Sequence, residues 1–315
     1  MSFILLGILN SQAAAGAVGA VSAGYVAGGQ STGGVTLDSI DKFAYPSDTR
    51  SVLAATLSRE SSQGGGLSNA QVAGYKIGGY DDVNASEYLD VIDKITVPAD
   101  TRTTLAATLS VARSTRGASN SGSFGYAMGG EAAPRPSYKD TVDKLTYSTD
   151  TITTLATGLS TARLQGFGFE DTGVAGYNAG GEIATGTLVT TVDKFDFAND
   201  SRSTLATGIS TARRLGGAFN NAGVAGYVAG GLSGSGDVST VDKFAFPSDT
   251  RSTLATGLTG TDRPRGFQND GVAGYAAGGA STTTIVNKFD FPSDSRSTLG
   301  TGLRVGRNAA QTFEA

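Results

Sequence analysis

The motif Gly-Tyr-x-x-Gly-Gly is written six times along the chain, with its tyrosine at Tyr25, Tyr75, Tyr126, Tyr177, Tyr227 and Tyr275. Subtracting successive tyrosine numbers gives intervals of 50, 51, 51, 50 and 48 residues. A fixed period of this length marks an array in which one supersecondary unit recurs and buries its apolar face against its neighbours. Length alone would suggest about two domains. A chain of 315 residues made from one repeated unit is better counted as one closed array.

Each unit has four parts, clearest between Thr211 and Ser252. Ala212-Arg213 leads into a Gly-rich strand, Gly216 to Asn220. A turn at Asn221 to Gly223 is followed by the anchor strand, Val224 to Gly231. After a loop of variable length comes Thr240-Val241-Asp242-Lys243-Phe244-Ala245-Phe246, whose alternation has the period of two expected of a strand. Pro247-Ser248-Asp249-Thr250 then makes a turn, with Ser and Asp placed to bond nearby backbone amides. The last strand is Ser252 to Leu258. Four short antiparallel strands make one propeller blade, so the expected fold is all-β: a six-bladed β-propeller of four-stranded antiparallel blades.

The expected boundaries are an apolar segment over residues 1–15, the propeller over 16–306, and a closing strand or arm over 307–315. Gly16 to Val21 and Arg307 to Phe313 both look like inner strands, so one of them is surplus. The apolar run Phe3, Ile4, Leu5, Leu6, Ile8 and Leu9 is interrupted by Gly7 and is too short to span a bilayer. No Lys or Arg precedes it to make a signal-peptide n-region, although Ala13 to Ala15 supply small residues. The run is expected to be an assembly segment, docked as an edge strand or against a neighbouring chain.

Composition excludes several chemistries. Lys and Arg number 24 against 28 Asp and Glu, a net charge of -4 without a charged tail, so neither nucleic acid nor membrane insertion is expected. There is no His and no Cys, which removes the commonest general base, the thiolate nucleophile and the usual zinc ligands. No cofactor and no metal site are expected. Asp81-Asp82 lacks the Gly-spaced ligand loop of a calcium site.

The glycine pair after an apolar strand, the Asp-Lys-Phe strand about a dozen residues later, as at Asp193-Lys194-Phe195, and the Ala-Arg before the inner strand resemble Kelch repeats. The resemblance runs from about Gly16 to Phe313. It departs where Kelch repeats carry Tyr and Trp after the glycines; here Phe43, Phe195, Phe244 and Phe289 stand in the Tyr position, and the chain has no Trp. The opening Phe3 to Ala14, followed by units rich in Val-Asp-Lys and Thr-Leu-Ala-Thr-Gly-Leu-Ser, is similar to virion proteins of tailed bacteriophages, notably tail-fibre or tail-tip components. That resemblance implies a multicopy structural or host-facing part of the virion exterior. Its partners would be other tail proteins or a host surface glycan, in a homo-oligomer that is often a trimer. The alternative placement is a bacterial extracellular propeller that binds carbohydrate or protein.

Because the Asp-Lys pairs and turn arginines recur once per unit, they are expected to be structural, exposed ion pairs, each Asp or Lys bridging to the Arg of its own or the next blade. The anchor tyrosines are expected to pack between blades. Function is expected where the repeat fails to repeat. In an up-and-down blade the second-to-third loops and the inter-blade links emerge on one face, while the near-identical turns emerge on the other. The expected recognition face carries Tyr80, Asp81, Asp82, Glu87 and Tyr88 in the second unit and Arg135, Tyr138 and Lys139 in the third. Arg116, Arg214, Arg263 and Arg265 come from the links. Tyr beside Asp, Glu and Arg suits flat apolar contacts edged by hydrogen bonds to sugars or peptides. No catalytic residues are expected. A glycan-cleaving propeller is the third reading, and it would gather carboxylates with shifted pKa values at the mouth of the central channel.

Overall fold

The computed structural model describes residues 22–83, 87–260 and 262–315. Phe3, Ile4, Leu5, Leu6, Ile8 and Leu9, the inner-strand-like Gly16 to Val21 and the loop residues Asn84 to Ser86 lie outside them. The described residues form six antiparallel blades of four strands, in sequence order from the centre outward in blades two to six, arranged as a six-bladed β-propeller. Blade two is typical. Its inner strand Gly65–Asn69 pairs with Ala73–Asp81, which pairs with Glu87–Thr96, which pairs with the outer strand Thr101–Thr104. No helix among the described residues is long and apolar enough to cross a membrane.

The C-terminus closes the ring. Gln311–Glu314 is the inner strand of blade one and pairs antiparallel with Ala23–Ala27, setting Tyr25 opposite Phe313. The two alternatives for residues 307–315 thus resolve to closure. Phe313 explains why, because its ring stacks on Tyr25 at 5.1 Å and is 1% exposed.

Both halves of the repeated motif have a steric cause. The glycine before each tyrosine lies under a side chain of the preceding inner strand: a Cβ on Gly74 would sit 1.9 Å from the Phe313 ring. The glycine pair supplies two successive left-handed residues, as at Gly78 (φ 56°) and Gly79 (φ 120°), where the second-to-third strand register slips at a bulge. Side chains with a Cβ rarely adopt that backbone.

The anchor tyrosines pack between blades, as expected. Tyr75 stacks on Tyr147 of the next blade at 5.2 Å, and Tyr177 on Phe246 at 5.5 Å. The ion pairs differ from expectation in two ways. First, the turn aspartate does not serve its own turn. Asp48, Asp100, Asp150, Asp200, Asp249 and Asp294, all at left-handed φ, each accept from the lysine and the anchor tyrosine of the preceding blade. Lysine Nζ lies at 2.6 to 2.8 Å and tyrosine Oη at 2.6 to 3.0 Å. The sixth lock joins Lys288 and Tyr275 to Asp48, closing the circle. Second, the third-strand aspartates are buried, and their partners are the arginines before the inner strands: Arg113 with Asp143 (2.8 Å), Arg213 with Asp242 (2.9 Å), Arg307 with Asp41 (3.3 Å) and Arg163 with Asp193. The expected bridges from turn arginines to the third-strand aspartates of their own blades are present but longer: Arg50 with Asp41 (3.8 Å), Arg102 with Asp93 (3.7 Å), Arg202 with Asp193 (3.7 Å) and Arg251 with Asp242 (3.5 Å).

Candidate functional site

The face bearing the links and second-to-third loops holds two clusters of the expected residues. The outer cluster forms because blades two and three have their second strands extended past the glycine pair, to Asp81 and Ala132, each paired with a lengthened third strand. Tyr80 and Tyr88 face each other across that extension, with ring centroids 5.1 Å apart. From the neighbouring blade the Arg135 guanidinium covers both rings, at 4.5 Å from Tyr80 and 5.0 Å from Tyr88, and Arg135 Nε donates to the Tyr88 hydroxyl. Glu131 lies 3.5 Å from Arg135. Burial works against the Arg135 charge, but Tyr88, Glu131 and Tyr80 more than offset it and hold the guanidinium protonated. Burial and Glu131 push the Tyr88 hydroxyl above its usual range, so it stays protonated. Tyr80, Tyr88 and Arg135, with Glu87, Val111, Ala112, Ala132 and Ala133, line an open cavity of about 420 Å³. It has the apolar floor and charged rim that suit a flat, hydroxyl-bearing ligand.

The other predicted residues divide. Asp81 is fully buried and takes Arg59 Nη2 at 2.8 Å, so it supports the loop from beneath instead of facing outward. Asp82 accepts from Gln30 of blade one. Glu87 is exposed and pairs with Arg59. The Tyr138 hydroxyl lies 3.5 Å from Glu182 of the next blade. Lys139 is half-buried, and its carbonyl accepts from the Arg163 amide. Among the described residues no three His, Cys, Asp or Glu gather as a metal site.

The inner cluster is the mouth of the central channel. All six inner strands line the central channel, a cavity of about 60 Å³ with Arg116 and Arg265 toward this mouth and Glu170 and Glu314 toward the other. It meets a vestibule of about 130 Å³ lined by Arg116, Leu215, Arg263, Ala280, Asn308 and Ala309. Arg263 pairs with Asp237 and Arg214 with Glu182 at the rim. Glu182 is the residue here that the repeat did not point to. Its signal was faint, a glutamate directly after the glycine pair in unit four.

The opposite mouth is acidic. Glu170 and Glu314, last or near-last residues of the inner strands of blades four and one, are 5% and 6% exposed and share a cavity of about 30 Å³ with Asp270, Asn120, Gln268 and Ser68. Burial raises the Glu314 carboxyl to about 7, partly offset by bonds from Ser68 Oγ and the Gln268 amide. Burial and then Glu314 raise Glu170 well above the carboxylate range. Around this mouth Val72, Val174, Val224 and Val272 stand about half exposed at the first-turn tips.

No protein-family model matches the chain, and no curated relative matches it. The six-bladed β-propeller is therefore established by the blades themselves.

Proposed function

We propose that this propeller is a non-enzymatic structural and binding module, a component of a bacteriophage tail or tail fibre whose variable-loop face meets a host surface glycan or a neighbouring virion protein. The observation that carries the binding half is the contrast between the faces. One face repeats the same lock and turn in every blade. The other carries an unrepeated pocket of two tyrosines under an arginine. Flat rings edged by Arg135, Glu131 and Glu87 match a sugar ring, which stacks through C–H and is held at its edge through hydroxyls. The virion half is supported by the likeness of the opening segment and the repeat units to tail proteins.

The test is binding of purified protein to an array of bacterial surface glycans. Tyr88→Ala together with Arg135→Ala should abolish the wild-type signal, while Ser248→Ala on the opposite face should keep it. Equal binding by all three proteins, or none by wild type, would reject the pocket.

One observation favours a second reading, a glycan-cleaving enzyme: Glu170 and Glu314 are paired carboxylates with raised pKa values at a channel mouth. A cavity of about 30 Å³ around them has no room for a sugar ring, and their oxygens are engaged by Asn120, Ser68 and the Gln268 amide. We therefore place recognition at the tyrosine pocket.

A further inference from the structure

The inner strands all run the same way along the channel, so each sends its first residue to the variable-loop mouth and its last to the opposite one. Arg116 precedes the inner strand Gly117–Asn120 of blade three, and Arg265 begins Arg265–Asn269 of blade six. Three blades apart in a ring of six, they come from opposite walls. They are 9% and 8% exposed. Arg113, Arg163, Arg213 and Arg307, in the links leading into four of the inner strands, each meet a buried aspartate; Arg116 and Arg265 do not. Nε of Arg116 and both Nε and Nη2 of Arg265 are buried without a hydrogen-bond partner. Burial drives the Arg116 pKa well down, with Arg265, Arg214 and Arg263 pushing the same way; burial alone takes Arg265 to about 9. A buried guanidinium whose donors lack an acceptor carries a desolvation cost that an oxyanion relieves, since the fork of N–H groups matches two oxygens at once.

We propose that this end of the channel is an oxyanion-binding site, in which Arg116 and Arg265 clamp one carboxylate, sulfate or phosphate group from opposite walls while Arg214 and Arg263 attract it to the mouth. The channel cavity, about 60 Å³ over its length from the two arginines to Glu170 and Glu314, takes a few waters or one such group and not a sugar ring. The ligand is therefore a free anion or an anionic group at the end of a chain entering through the vestibule. Arg214 and Arg263 each keep a carboxylate, so their contribution is long-range attraction more than contact. The site stands on the arginines alone and does not depend on what the tyrosine pocket binds.

The test is calorimetric titration of the full-length protein with sodium sulfate, sodium phosphate and a free uronic acid, in chloride buffer at matched ionic strength. Wild type should bind at least one of them saturably at one site per chain. Arg265→Met and Arg116→Met should each weaken binding at least about tenfold. Arg263→Gln should keep most of the affinity while flattening its salt dependence. Arg265→Lys, which preserves charge but not the fork, serves if the Met variants fail to fold, and it too should bind more weakly. No saturable binding of any of the three, or wild-type affinity in Arg265→Lys and Arg265→Met, overturns the proposal. Preference for the uronic acid points to acidic polysaccharide ends, and preference for phosphate or sulfate to a polymer bearing those groups.

Discussion

A buried carboxylate needs a counter-charge, and the third-strand aspartates obtain one in more than one way. Asp41, Asp143, Asp193 and Asp242 meet a buried arginine. In blade two Ser61 takes the arginine's place in the link, and Lys76, buried and directly opposite Asp93 in the register, supplies the positive charge. Burial drops the Lys76 pKa to about 8, with Asp93 working to restore it. In blade six Asp262 stands at the arginine position, and the carboxylate is replaced by Asn287, which binds the Thr259 amide and carbonyl instead. Removing one partner of such a pair is costly, so the substitutions come together. Glu314 is the residue with the clearest pH signature. Its folded pKa, about 7, is raised above the ordinary 4.5, so the stability tied to its protonated form is complete below 4.5 and is lost as pH rises through 7. The loss is on the order of 3 kcal/mol. Glu314→Gln should thus gain on wild type steadily from pH 4.5 to above 7 and then hold a constant margin, read by denaturant unfolding at each pH. A margin that is flat with pH would mean that Glu314 is ionised throughout. None of this was legible in the sequence, because Glu170 and Glu314 are only strand-end residues until six inner strands converge.

At the scale of the strand, the motif that announced the repeat is explained by geometry that the sequence does carry. Two glycines in succession at left-handed φ are needed wherever the second strand bulges, and a third glycine is needed where a side chain of the preceding inner strand crosses it. The inner strands add a rule of their own. At mid-strand, blades one, three and five carry Thr312, Ala118 and Ala218, and blades two, four and six carry Gly66, Gly168 and Gly266. A Cβ on each of those glycines would strike the carbonyl of its non-glycine neighbour at 1.8 to 2.1 Å. The ring of six is thus packed at its centre as three pairs. Closure by Gln311–Glu314 makes a strong prediction. Phe313→Ala should cost about 3 to 5 kcal/mol, the loss expected for a buried ring, in a protein that remains monomodal in unfolding. Deleting residues 311–315 should do more, exposing the edge of Ala23–Ala27 and giving soluble aggregates by light scattering. A well-folded, non-associating deletion would show that the ring closes without its last strand.

The whole molecule is a polarised ring with an arginine mouth on the variable face and a carboxylate mouth on the uniform one. In the tail-protein reading it works in several copies, and this has its own test. The native mass of the purified full-length protein should be that of an oligomer, and deletion of residues 2–10 should reduce it to a folded monomer. A full-length monomer would remove the assembly half of that reading. What the sequence by itself determined is the number of blades, their four strands, the packing role of the anchor tyrosines and the division into a uniform and a variable face. These follow from local spacing repeated six times, because alternation, turn residues and glycine pairs act within a few residues of one another. Tertiary structure alone decided which terminus closes the ring and that Asp81 faces inward. It also decided that each turn aspartate serves the blade before it, and that Arg116 and Arg265 line one channel from opposite blades. Those outcomes depend on which strands become neighbours after about 50 or more intervening residues, a fact of ring closure that no local pattern records.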